Sequence, residues 1–245
     1  MTNKGIFITG TDTDVGKTVV TAGLLNLFRF NGVDAIPMKP VQTGCVLQND
    51  VYSAPDLDFS ISCSELSYTE EEYQYMSPYK YGPACSPHLA GALAGDCPNI
   101  KNIVSCLKKL EEHRTLILVE GAGGVMVPLN NNDMMIDLMK AIGYPIILVA
   151  HTGLGTINHT LLSIHALRSA GLIIQGIIFN NTKPPSLDSK LICEDNVKTI
   201  AESGKINVLG VIDYLDNISN NFDTMKKHFI DAVDYAKIRK GLFYG

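Results

Sequence analysis

The chain has little of what would set it apart from ordinary globular proteins. It has no excess of basic side chains: 20 Lys and Arg stand against 25 Asp and Glu, a formal charge of −5. No bulk positive field attracts a polyanion, which argues against a nucleic-acid partner. A small anion needs only a local site and is not excluded. No apolar run approaches the ~20 residues that a membrane helix needs, so no membrane partner is expected. The first ten residues hold a three-residue apolar stretch and no cleavage site, unlike a secretory leader. The six cysteines (Cys45, Cys63, Cys85, Cys97, Cys106 and Cys193) form no C-x-x-C pair and no zinc-finger spacing with histidine. They read as free thiols of a reducing compartment, and the expected location is cytoplasmic. There is no repeat, low-complexity tract or Pro/Gly-rich linker dividing the 245 residues. One domain over residues 1–245 is expected. At 46% apolar and 18% charged residues, such a chain buries about 70–75% of its unfolded surface and needs no covalent staple.

What is present is alternation. Short apolar runs at Gly5–Thr9, Ala35–Val41, Thr115–Val119, Ile146–Ala150, Ile174–Phe179 and Val208–Ile212 read as strands apolar on both faces. Helix-period segments lie between them. They include 15–30, the stripe Ile103, Leu107, Leu110, and the stripe Ile157, Leu161, Ile164, Leu167. Phe222, Met225, Phe229 and Val233 predict one surface helix over 223–240. The pattern implies an α/β fold, a mostly parallel sheet covered by helices on both faces. Residues 45–85 break it. They are polar, carry the run Glu70-Glu71-Glu72 and show no clear period; such a stretch is functional or poorly ordered. The Glu run reads as a solvated helix face.

The sharpest motif is Gly10-Thr-Asp-Thr-Asp14-Val15-Gly16-Lys17-Thr18, between a strand and a helix. In that context a P-loop cradles phosphates with backbone N–H groups and a helix N-terminus. Lys17 would reach the β- and γ-phosphates and Thr18 would offer a hydroxyl to Mg2+. Gly10 stands one residue too early for the strict spacing. There is no G-x-G-x-x-G for a dinucleotide, and a lysine inside the loop does not suit a protein-kinase glycine loop.

A second group gathers at strand ends, where active groups of open α/β sheets collect. Lys39 sits in the otherwise apolar run that ends near Gln42-Thr43-Gly44, and a lysine there needs a charged partner. Glu120 follows TLILV and precedes Gly121-Ala122-Gly123-Gly124. A carboxylate after a buried strand, with glycines that allow close approach of a ligand, suits a metal-directed acid. Asp56 and Asp58 are both available to complete a Mg2+ shell, and spacing does not choose between them. Ser86 and Pro87 read as N-cap and first turn of a helix, with His88 beside them. Gly153–Asn158 is a second potential anion site at a helix N-terminus. Asn180-Asn181 suits a purine edge or a turn. His151, His159 and His165 make no metal spacing.

Taken together, GTDTDVGKT, MKPVQTG, SPH, VEGAGG, LGTINH and FNNTKPP resemble the dethiobiotin synthetases in order and approximate spacing, from about Gly5 to Ile212. The resemblance implies ATP- and Mg2+-dependent closure of a cyclic urea from 7,8-diaminononanoate (7,8-diaminopelargonate) and CO2 in a homodimer. It implies nucleotide contacts at Asp14–Val19, Asp56, Glu120–Gly123, Asn180, Asn181 and Asp213-Tyr214-Leu215, with Asn180 reading the base. Lys17 and Lys39 would be catalytic, and Thr18, Asp56 (here preferred to Asp58) and Glu120 would hold the metal. Thr43 would bind the diamine, as would Gly155, Thr156 and Asn158 from the other subunit. Asp213 departs from the family, which often has proline there. The competing reading of the same scaffold is a partitioning or assembly ATPase switch; an amidotransferase-like ligase would need a glutaminase module for which there is little room.

Overall fold

A computed structural model describes residues 4–48, 51–184, 189–216, 218 and 221–243. Its centre is a six-stranded, fully parallel sheet in the order β10-β9-β8-β1-β7-β2. The strands are β1 (Gly5–Gly10), β2 (Ala35–Met38), β7 (Leu116–Gly124), β8 (Ile146–Ala150), β9 (Ile174–Asn180) and β10 (Val208–Ile212). Alternate residues of one strand enter different cores. Ile6 and Ile8 face one, Phe7 the other; Leu116 and Leu118 face the first, Ile117 and Val119 the second. The period of two in side-chain direction thus demands cover on both faces, which explains the uninterrupted apolar runs. Helices α1 (Lys17–Phe30), α9 (Phe222–Ala232) and α10 (Tyr235–Phe243) cover the first face. Helices α5 (Ile100–His113), α6 (Met135–Ile142), α7 (Thr156–Ser169) and α8 (Ser189–Gly204) cover the second. Among the described residues no helix is long and apolar enough to cross a membrane.

Segment 45–85 shows no clear period in the sequence, but its described residues form regular elements. It holds the hairpin β4 (Leu47–Gln48) and β5 (Val51–Tyr52), then α2 (Pro55–Ser64), α3 (Glu70–Met76) and β6 (Tyr79–Tyr81). Strand β6 pairs with β3 (Val41–Thr43) in a separate two-stranded parallel sheet, and α4 (Pro87–Ala94) follows. The Glu run is the first turn of α3. Thr69 and Glu72 form a reciprocal capping box, and Glu72 also takes Arg114 at 2.7 Å. Ser86 stands at the N-cap of α4, but its hydroxyl makes no cap bond there.

Three boundaries also differ. The run Ala35–Val41 divides after Met38, because Val41 leaves for the second sheet; Pro37 lies inside β2, at the outermost position of the main sheet. The run TLILV does not end before Glu120: β7 continues through the glycines to Gly124, with its register against β1 shifted between Ile8–Glu120 and Gly10–Gly124. The predicted terminal helix is two helices. Val233 is extended and bridges Gly210, while the Asp234 N–H donates to the Leu209 carbonyl.

Helix α9 meets α1 where Gly23 leaves room for the fully buried Phe229. A β-carbon at Gly23 would lie 2.3 Å from the Phe229 ring carbons. Alanine gains about 1 kcal/mol in helix propensity, but overpacking against a rigid ring costs about 1–3 kcal/mol. Gly23→Ala is expected to lower the urea midpoint, despite placing a better helix former in a helix interior.

Candidate active site

The phosphate loop joins β1 to α1. Asp14 and Gly16 have φ of 59° and 89°, in the left-handed region. Gly16 is the N-cap of α1, and a β-carbon there would lie 2.0 Å from Asn180 Nδ2. Conformation and crowding both demand glycine at this point. Asn180 Nδ2 donates to the Val15 carbonyl at 3.2 Å, so this side chain ties the loop to the end of β9. Lys17, only 7% exposed, donates to the Asp12 carbonyl of its own loop at 2.7 Å. Burial, and then the neighbouring Lys39 ammonium, lower its pKa to about 8 against 10.5.

Register explains the next group. Met38 of β2 lies beside Val119 of β7, and Ile8 of β1 lies beside Glu120. Lys39 and Glu120 therefore leave adjacent strands at one level, next to the phosphate loop. Lys39 Nζ donates to Glu120 Oε1 at 2.6 Å and to the Gly121 carbonyl at 3.3 Å. It also meets Asp56 Oδ2 at 2.8 Å, and Thr18 donates to Glu120 Oε1 at 2.9 Å. Lys39 is 5% and Glu120 2% exposed. Burial alone would lower the Lys39 pKa, but the two carboxylates outweigh it and hold the ammonium above its ordinary value. Burial likewise raises the Asp56 carboxyl, and Lys39 reverses this, leaving it below its ordinary value. Asp58, two positions on, is turned away and accepts from the Tyr73 hydroxyl at 2.7 Å. Formally, two ammonium groups meet two carboxylates, so the pair of lysines does not make a net positive patch.

Thr18, Asp56 and Glu120 bring hard oxygen donors together, a set that suits Mg2+, which binds through few protein ligands and keeps waters and phosphate oxygens. Among the described residues, no cluster of three or more His, Cys, Asp or Glu could hold a metal by itself. Gly121, Ala122 and Gly123 line up along β7 beyond Glu120. Thr43 ends β3, half-buried.

The remaining sequence candidates lie elsewhere. A cavity of 1180 Å³ opens beyond the ends of β8, β9 and β10, lined among others by Asn181, Cys193, Asp213 and Tyr214. Asn180 is absent from its lining, being spent on the loop. Leu215 packs with the core that holds α1 and α9. Gly155 is the left-handed N-cap of α7, Thr156 is buried and donates to the His151 carbonyl, and Asn158 is exposed. No hydrogen bond or ion pair among the described residues joins these three to the Lys39 group. Sequence reasoning missed Gln42, which accepts from the Asp56 N–H at 3.3 Å, and Asn196, which donates to the Thr152 carbonyl at 2.8 Å. A glutamine in an apolar strand was the available signal for the first; nothing in the α8 sequence marked the second.

A family model described as an AAA domain matches residues 4–221. The MinC:MinD cell division protein complex of Aquifex aeolicus has a chain of the same fold, with a TM-score of 0.60, 12% identity and 93% of each chain covered. A ParA family ATPase from Chlorobium tepidum gives 0.56 at 11% identity, over 93% of this chain and 98% of that one. With the loop between β1 and α1, these likenesses define a three-layer α/β P-loop NTPase fold.

Within that class, sequence similarity is specific. The ATP-dependent dethiobiotin synthetase BioD of Clostridium novyi is 39% identical over 243 residues, covering 97% of this chain and 98% of the relative. That of Anoxybacillus flavithermus is 36% identical over 230 residues, 92% and 99% of the two. The chain belongs to the dethiobiotin synthetase family and is an enzyme of that ligase kind.

The low pKa of Lys17 carries a sign. Between about 8 and 10.5 the folded state binds fewer protons than the unfolded one, so stability rises with pH across that window. Below it, a buried ammonium is retained at a cost. Ligand-free Lys17→Met should therefore exceed wild type in denaturation free energy most clearly at neutral pH. The gap should narrow as pH rises toward 10.5, as read by urea titrations at several pH values.

Proposed function

We propose that the chain closes the ureido ring of dethiobiotin. It takes 7,8-diaminononanoate, CO2 and ATP, and releases ADP and phosphate. The observation that supports this most directly is the buried Lys39–Glu120–Asp56 group beside a phosphate loop, in a chain 39% identical to an ATP-dependent dethiobiotin synthetase over nearly its whole length.

The chemistry runs in three steps. One amine of the diamine adds to CO2 and loses a proton, giving a carbamate. A carbamate oxygen attacks the γ-phosphorus, ADP leaves, and a carbamic–phosphoric anhydride forms. The second amine then attacks the carbonyl carbon, loses its proton, and expels phosphate. Carbamate and triphosphate are both anionic, so catalysis needs positioning and charge neutralisation more than a covalent nucleophile. Lys17 would leave the Asp12 carbonyl for the β- and γ-phosphates. Lys39, already held charged, would stabilise the carbamate oxygen and the transferring phosphoryl group. Asp14–Val19 would wrap the phosphates with backbone N–H groups.

Thr18, Asp56 and Glu120 would hold Mg2+, which supplies charge neutralisation to the phosphates when bound. The cavity lined by Asn181, Asp213 and Tyr214 would take the base. Asn180 supports nucleotide binding by holding Val15 as well as by any contact with the base. Thr43 would meet the diamine. Gly155, Thr156 and Asn158, at the start of α7, would serve a second subunit of a homodimer at the far end of the substrate.

Phosphate release from ATP with Mg2+ and bicarbonate should depend on the diamine; release indifferent to it would overturn the reading. Lys39→Ala should lose turnover by about 10²-fold or more while still binding ADP in calorimetric titration. Wild-type-like turnover in that variant would remove Lys39 from the chemistry.

A further inference from the structure

Helix α2, which carries Asp56, begins without a cap of its own. Its N-cap is Ala54, which has no side chain to accept a hydrogen bond, and Pro55 takes the first position. The N–H groups of Ala54 and Asp56 are met from outside the helix. Tyr73, on α3, receives the Ala54 N–H at 3.3 Å and donates onward to Asp58 at 2.7 Å. Gln42, on β3, receives the Asp56 N–H through Oε1 at 3.3 Å. Through Nε2, Gln42 donates to the Thr43 carbonyl at 3.0 Å. Gln42 is 4% exposed, so its amide has no water to fall back on. One buried amide thus spans two backbone points: the N–H of Asp56 and the carbonyl of Thr43.

We propose that Gln42 is a positioning residue that fixes Asp56 for the metal, with Tyr73 as its second support. The inference rests on the assignment of Asp56 as a metal acid above. A helix start without a cap frays by a turn, and the first turn of α2 is where Asp56 sits. A carboxylate that must meet both Lys39 and a cation tolerates little displacement, and groups that orient a ligand typically carry about 10–100-fold in metal affinity. Sharing the amide with Thr43 also places the helix start and the end of β3 on one strut, so the acid and the Thr43 hydroxyl keep a fixed separation.

The test is Mn2+ binding to the ADP complex, counted by the electron paramagnetic resonance signal of free Mn2+, which needs no turnover. Gln42→Met keeps the volume and removes both hydrogen bonds. It should weaken Mn2+ about tenfold or more, leave metal-free ADP binding unchanged, and raise the Mg2+ concentration for half-maximal turnover. Tyr73→Phe removes only a hydroxyl and should move Mn2+ affinity in the same direction, which keeps the test alive if Gln42→Met does not fold. In an Asp56→Asn background, neither substitution should add a further loss. Unchanged Mn2+ affinity in the folded variants, or an equal loss without the Asp56 carboxylate, overturns the role. Wild-type ADP complex that takes up no Mn2+ overturns the metal assignment itself, and the inference with it.

Discussion

The molecule is organised around one buried ammonium. Lys39 lies at the end of β2 under the sheet's upper rim, nearly without solvent, and meets Glu120 and Asp56 at 2.6 and 2.8 Å. An ammonium in such a place would lose its proton unless paired, because leaving water costs several kcal/mol. Each partner comes from a different element: Glu120 from β7, Asp56 from α2, and through Glu120 the hydroxyl of Thr18 from α1. The separately folded parts of the chain are therefore registered against one charge. Removing Lys39 leaves the buried Glu120 carboxylate uncompensated, and breaking such a buried pair costs about 3–5 kcal/mol. The described part of segment 45–85 is tied to the sheet by this ion pair as well as by its apolar packing.

The phosphate loop obeys a similar rule. Its shape is imposed less by its own hydrogen bonds than by a neighbour, since Asn180 reaches across to the Val15 carbonyl and fills the space over Gly16. Lys17 rests on the Asp12 carbonyl of the same loop. The lysine, with its pKa already lowered toward 8, is an ammonium in want of a better partner than a carbonyl.

Much of this was legible in the sequence where one local signal decided the outcome. Two-faced apolar runs gave the six main strands, and Gly-Lys-Thr between a strand and a helix gave the loop. Failures came where a long-range partner decided. Glu120 read as the residue after the strand, yet β1 on one side carries β7 on to Gly124. Phe222, Met225, Phe229 and Val233 kept a helical spacing, but Val233 is drawn out of the helix by Gly210. Asp56 and Asp58 were indistinguishable by spacing. Once α2 exists, two positions differ by about 200° around its axis, and one must face Lys39 while the other faces Tyr73. Helices α2 and α3 have ten and seven residues, too short to show a period. The Thr69–Glu72 capping box was nonetheless a readable start signal in that stretch.

The ends of the main sheet have a consequence of another kind. At one border, β2 contains Pro37, which has no N–H to offer, and the chain turns away at Lys39. At the other, β10 has its outer backbone met by Val233 and Asp234. Among the described residues, neither border of the main sheet presents a long free row of donors and acceptors, the feature through which exposed strands recruit further strands. Two copies of this chain have no simple way to merge their sheets into one. The same two borders guard against edge-to-edge aggregation.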